Sequence, residues 1–231
     1  MSCFEEVKSN VNGKHIGNEL EYVCNVLNSE DRDGRKIPYV GKLEKKFANV
    51  IGAKYAIAHN SGTATLHTCL ASAGVGPGDE VISPAHTVIM CTFAILYQNA
   101  IPVYADIERD TFNIDPNDIE RKITDKTKAI IAVHMHGLPC NMNKIMEIAK
   151  RHNIAVIEDS AQCVLGSING EMVGTMGDMA SFSFETKKHL SAGEGGIVTT
   201  NNQNYATVIR KTGGLGYKTL AADQALRATL P

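Results

Sequence analysis

The chain has 231 residues, 43% of them apolar and 21% charged, with 23 Lys and Arg against 25 Asp and Glu for a formal net charge of −2. Those proportions belong to an ordinary globular protein and exclude a disordered, collagen-like or coiled-coil chain. The near-neutral balance offers no general attraction to nucleic acid or to an anionic membrane surface.

The first residues, MSCFEEVKSN, are polar and lack the apolar core of a signal peptide, and no stretch approaches the roughly 20 apolar residues of a membrane span. Residues 17–29 and 41–51 read as amphipathic helices; in the second, Val40, Leu43, Phe47 and Val50 fall at helical spacing. The polar segment EDRDGRKIPY between them reads as a loop. Apolar, strand-like runs then alternate with helical patterns. The expected strands are Tyr55–Ala58, Glu80–Ser83, Ile101–Ala105, Ala129–His134, Ile154–Glu158, Ala180–Phe184 and Gly196–Thr199. The expected helices are 63–73, 87–98, 116–123, 141–152 and 203–212; in 141–152, Met142, Ile145, Met146 and Ala149 form one stripe behind the capping residue Asn141.

The strand runs are nearly continuous in apolar residues rather than alternating, as expected of strands buried on both faces of a mostly parallel sheet. Repeated β-α-β units with short connections give an open α/β sheet, which binds ligands at the carboxyl ends of its strands. The run Gly74-Val-Gly-Pro-Gly78 precedes a strand instead of following one, so it reads as a helix stop and turn, not a dinucleotide loop. The six cysteines are scattered with no C-x-x-C pair, which predicts free thiols in a reducing cytoplasm. His134 and His136 lie at a strand end, but two ligands do not make a metal site. No metal is expected.

Three strand ends carry chemistry. After the strand at 55–58 comes His59-Asn60-Ser61-Gly62-Thr63-Ala64, a small-residue turn opening a helix, where free backbone N–H groups suit a phosphate; taken alone, a plain N-cap by Ser61 or Thr63 is the favoured explanation. After 154–158 comes Asp159, followed by Ser160-Ala161-Gln162, with a second helix cap as the alternative. After 180–184 comes Glu185-Thr186-Lys187-Lys188-His189 and then Gly193-Glu194-Gly195-Gly196. A lysine there can be a partly desolvated, reactive amine or a solvated surface residue. Together the phosphate cradle, carboxylate and lysine are the parts of a pyridoxal 5'-phosphate site: the lysine for the Schiff base, the carboxylate for the pyridine nitrogen, the helix N-terminus for the phosphate.

The segments PYVGKLEKKFA, NSGTATLH, GVGPGDEVISPAHT, DIERDTFNIDP, KAIIAVHMHG, IAVIEDSAQ and SFSFETKKHLSAGEGG carry a resemblance over nearly the whole chain. The sequence resembles the DegT/StrS sugar aminotransferases, which are fold-type I pyridoxal-phosphate enzymes. The resemblance implies an α/β large domain with a mostly parallel central sheet flanked by helices on both faces. It implies amino transfer, with glutamate as the expected donor, to a keto sugar that is often nucleotide-linked, in a cytoplasmic homodimer. The family's lysine lies four residues after the second Phe of F-S-F and five before G-E-G-G, which selects Lys188 over Lys187. The resemblance likewise assigns Asp159 to the pyridine nitrogen, Gln162 to the cofactor's phenolic oxygen, and Ser183, Gly62 and Thr63 to the phosphate. Lys188 and Asp159 are the expected catalytic residues.

The chain departs from the family at Val88, where many relatives carry an aromatic residue stacked on the pyridine ring; His86 or the aliphatic side chain itself is left to cover the ring. Lys187 stands where Ser or Thr is common, an extra cation for an acidic substrate or simply a solvated one. Relatives continue into a smaller C-terminal domain with an Asn-x-Arg motif, so residues 1–231 are expected to be the cofactor-binding large domain, with an N-terminal helical segment over about 1–52 and without the small domain. A sugar dehydratase of the same family is the alternative enzyme, disfavoured by Lys188 where dehydratases carry His. A non-catalytic cofactor-binding or regulatory protein is the alternative outside enzymology.

Overall fold

A computed structural model of the chain describes residues 18–28, 38–216 and 221–222. Its centre is a seven-stranded sheet built from β1 (Tyr55–His59), β2 (Glu80–Pro84), β3 (Ile101–Ala105), β4 (Thr127–Val133), β5 (Ala155–Asp159), β8 (Met179–Ser183) and β9 (Gly196–Thr200), in the order β1-β9-β8-β5-β4-β2-β3. Only β9 runs against the others, between β1 and β8. The mostly parallel sheet expected from the continuous apolar runs is therefore present, and all seven expected strands form within a residue or two of their predicted places. A two-residue hairpin joins β6 (Ser167–Ile168) to β7 (Glu171–Met172); Asn169 and Gly170 both take positive φ, 53° and 84°, as a two-residue turn of this hand requires. The sequence reading did not anticipate that hairpin.

Alternate residues of each strand serve opposite faces. Ala129, Ile131 and Val133 of β4 join one apolar layer with α3 (Gly62–Ser72), α4 (Met90–Tyr97) and α7 (Gln203–Gly213), through Leu66, Cys69, Leu70, Ile95 and Ile209. Ile130 and Ala132 face the other layer, with α5 (Pro116–Lys122) and α6 (Met142–His152), through Ile119, Met142, Ile145 and Ile148. Both faces are covered, so the strands carry no polar face. Ser61, Asp115, Asn141 and Asn202 cap α3, α5, α6 and α7, their side chains accepting from amides of the first turn. Helix α6 stops at Asn153, in the left-handed conformation.

Helix α1 (Glu19–Leu27) buries no residue. Helix α2 (Pro38–Ile51) starts three residues earlier than expected and lays Phe47, Ala48 and Ile51 against Ala56, Ala180, Phe182 and Ile197 of the sheet. The rest of the expected loop at 30–39 lies outside the described residues. A buried, two-pronged ion pair from Arg210 to Glu44, at 3.1 and 2.9 Å, ties α7 to α2, and Glu44 Oε1 also accepts from the Ala58 amide at 2.9 Å. Charges taken out of water this completely need such hydrogen bonds to be tolerated.

Candidate active site

Because β9 alone is reversed, the carboxyl ends of β1, β4, β5 and β8 share one edge of the sheet with the start of β9. A cavity of about 270 Å³ opens there, with Gly62, Thr63, Val88, Asp159, Gln162, Ser183 and Lys188 all in its wall. Seven of the eight site residues expected from the sequence are thus brought together from positions up to 126 residues apart (188 − 62).

The turn after β1 packs on the end of β8. A Cβ on Gly62 would lie 2.8 Å from Ser183 Cβ and 3.0 Å from its hydroxyl, so only glycine fits this approach. The Thr65 hydroxyl, 2.6 Å from both the Gly62 carbonyl and the Ser181 hydroxyl, fastens the first turn of α3 to β8. The first intrahelical bond is Thr65 N–H to the Ser61 carbonyl, so the amides of Gly62 and Thr63 precede the ladder and belong to the positive end of the helix. Gly196 of the G-E-G-G motif is explained the same way: a Cβ there would meet the Ser61 carbonyl oxygen at 2.6 Å. The motif's role in the fold is therefore close backbone approach at Gly196, with a left-handed turn at Gly193 (φ 81°).

Asp159 ends β5 and is buried. Its Oδ1 accepts from the Ala161 amide at 3.0 Å and its Oδ2 from the Cys91 thiol at 3.4 Å. Burial pushes its carboxyl above the ordinary carboxylate value, against the pull of the Ala161 amide, the Cys91 thiol and the charge of Lys188. Among the described residues no ion pair reaches it. A buried carboxylate with lone pairs facing a cavity and no cation bonded to it is matched by a cationic ring N–H arriving from outside. The donor set elsewhere in the wall, two helix-start amides and the Ser183 hydroxyl, is matched by a phosphate dianion. The residues present therefore fit pyridoxal 5'-phosphate.

Lys188 lies in the loop 185–195, which closes through Phe184 N–H to the Gly195 carbonyl and Ala192 N–H to the Phe184 carbonyl, both 2.9 Å. It is half-buried in the cavity wall, whereas Lys187 is exposed. The structure thereby separates the two lysines as the motif spacing does. Gln162 is oriented by accepting from the His136 amide at 2.9 Å. His86 stands apart: it is exposed and its ring lies 6.2 Å from Phe112 and 6.3 Å from His136, while Val88 and Met90 supply the cavity wall.

Sequence reasoning missed Leu66, Met90, Val133, Glu185 and Glu194, which also line the cavity. The three apolar ones carry no signal beyond their helical or strand stripe. It also missed Glu158, fully buried, which accepts from the amides of Gly174, Met176 and Gly177 at 2.7–2.9 Å and from His134 Nε2 at 3.1 Å. Because His134 Nδ1 accepts from the Cys140 amide at 3.0 Å, Nε2 carries the proton that Glu158 receives. His134 is thus a support for β5 beneath the site and does not enter the cavity.

Residues 14–229 match the DegT/DnrJ/EryC1/StrS aminotransferase family, and the chain belongs to it. It is 43% identical over 202 residues to GDP-perosamine synthase of Caulobacter vibrioides, covering 87% of this chain and 54% of that protein. Among solved structures it is similar to an aminotransferase from Psychrobacter cryohalolentis (TM-score 0.81, 37% identity, 87% of this chain and 51% of that one). It is also similar to DesV of S. venezuelae, solved in complex with a ketimine intermediate (TM-score 0.81, 31% identity, 96% and 57%). The chain spans about half the length of the curated relatives it matches.

Proposed function

We propose that the chain is the cofactor-binding part of a pyridoxal-phosphate aminotransferase that moves an amino group, with glutamate as donor, onto a keto sugar in amino-sugar biosynthesis. The observation that carries this reading is the convergence of the Gly62–Thr63 helix start, Ser183, Asp159 and Lys188 on one cavity. The similarity to a GDP-perosamine synthase supports a nucleotide-linked acceptor. The bound cofactor supplies an electron sink for the electrons released when a proton leaves the substrate carbon.

In this reading the amides of Gly62 and Thr63 and the Ser183 hydroxyl hold the phosphate and fix the register of the ring. Asp159, itself buried, would hold a proton on the ring nitrogen. Val88 and Met90 would supply an apolar wall beside the ring. Lys188 would be the covalent anchor; its Nζ, once free, would be the base that takes the proton from the substrate carbon and the acid that delivers it to the cofactor carbon. Phe93, Leu96 and Tyr97 on α4 are exposed apolar residues, and we assign that face to a second copy in a homodimer. The buried free thiols of Cys69, Cys91, Cys140 and Cys163 suit a reducing cytoplasm.

Borohydride reduction of the cofactor-loaded protein followed by peptide mapping tests the site. A reduced adduct on Lys188, lost in Lys188→Ala together with amino transfer from glutamate to nucleotide-linked keto sugars, is the expected result. An adduct on Lys187, or turnover surviving in Lys188→Ala, overturns it.

A further inference from the structure

The carboxylate of Asp159 is gripped from two sides, and only one grip comes from its own strand end. The Ala161 amide donates to Oδ1 from two residues away. The second donor, the Cys91 thiol on the first turn of α4, comes from 68 residues away and reaches Oδ2 at 3.4 Å. Cys91 is fully buried, and its Sγ lies 3.6 Å from the Thr87 hydroxyl. Burial first, and the negative charge of Asp159 second, push this thiol well above its ordinary range. It therefore stays S–H and keeps its donor proton at neutral pH, where a thiolate would instead repel the carboxylate. The same short segment carries Val88, part of the cavity wall. Residues 87–91 thus set both an apolar wall of the cavity and one hydrogen bond on its carboxylate.

We propose that Cys91 is a positioning residue: its thiol, held in turn by Thr87, fixes the rotation of the Asp159 carboxylate so that its remaining lone pairs face the ring nitrogen of the cofactor. This inference rests on the reading of the cavity as a pyridoxal-phosphate site. A weak donor suits the task. A thiol restrains the carboxylate while withdrawing less of its negative charge than a hydroxyl or a cation would, leaving Asp159 basic enough to hold a proton on the ring nitrogen. The rival account is that Cys91 is a small apolar filler, as buried cysteines commonly are. The two accounts differ in which replacement restores function, because valine preserves the filler and serine preserves the donor.

Three variants, Cys91→Ser, Cys91→Val and Cys91→Ala, are compared with the unmodified chain by two measurements. The first is the titration of the Asp159 carboxyl by carbon-13 NMR in the cofactor-free protein. The second is the dissociation constant of pyridoxal 5'-phosphate, read from its absorbance. Lys188, whose charge also acts on Asp159, and His134 are the same in every variant. Loss of a hydrogen bond to the charged form moves the Asp159 titration to higher pH in the Val and Ala variants and weakens cofactor binding about threefold to tenfold. The Ser variant titrates at or below the unmodified value and binds within about twofold of it. Wild-type behaviour of Cys91→Val with a shifted Cys91→Ser, or no shift in any variant, overturns the proposal. If the unmodified chain itself binds no cofactor, the reading of the site fails, and the NMR titration still decides whether Cys91 acts on Asp159.

Discussion

Asp159→Asn separates what the carboxylate does for the fold from what it does for the site. Aspartate and asparagine have nearly the same shape, and the oxygen of the substituted amide can keep the 3.0 Å bond from the Ala161 N–H. The charge is lost, and with it the oxygen that accepts from the Cys91 thiol. The folded-state pKa of Asp159 is raised by burial, so its contribution to stability is present below the unfolded carboxylate value and is lost as pH rises through the folded value. In cofactor-free protein at pH 7 the buried charge is therefore a cost. Removing it is expected to stabilise that form and raise its Tm. The gain should vanish near pH 3, where Asp159 is protonated and equivalent to the amide. The site responds in the opposite sense. Loss of one charge-assisted hydrogen bond to the ring nitrogen, about 1.5–3 kcal/mol, weakens the cofactor about 10- to 100-fold, and loss of the electrostatic support slows turnover about 10²–10³-fold. Calorimetry of the cofactor-free protein at pH 7 and pH 3, cofactor titration, and an amino-transfer assay check the three statements. A lower cofactor-free Tm at pH 7, or unchanged turnover, refutes the reasoning.

Gly62→Ala places a methyl 2.8 Å from Ser183 Cβ, which forces the start of α3 away from β8; overpacking of about 1–3 kcal/mol should appear mainly as a 10- to 100-fold weaker cofactor affinity, measured by absorbance titration. Glu158→Gln replaces one oxygen that accepts two hydrogen bonds with an amide that can only donate, at a fully buried position beneath the site. That should cost about 3–5 kcal/mol and lower Tm on the order of 10 °C in a calorimetric scan, whether or not cofactor is present.

Local signals carried much of this protein. Runs such as Ala-Ile-Ile-Ala-Val in β4 announce a strand buried on both faces, because no polar residue is left for a solvent side. Asn141 and Ser61 mark helix starts because their side chains reach amides three residues on, a distance fixed by helix geometry. Asp159 and Lys188 were legible for a related reason: a charged residue at the carboxyl end of an apolar strand lies where an open α/β sheet binds its ligands, and the spacing to F-S-F and G-E-G-G separated Lys188 from Lys187. What the sequence could not reveal depends on segments far apart meeting. The insertion of β9, antiparallel, between β1 and β8 is set by which edges pair, and each strand's own pattern suits either direction. Val88 and His86 are two residues apart, yet one lines the cavity and the other turns outward, a choice made by the path of the chain into α4. Cys91 reads only as one more apolar position in a helix, and it becomes a donor because packing of α4 on the sheet brings its sulfur to a carboxylate 68 residues away. Cap and strand signals are short-range and survive in the unfolded chain, whereas hydrogen bonds between distant side chains exist only after burial of both faces of the sheet has fixed where the helices lie.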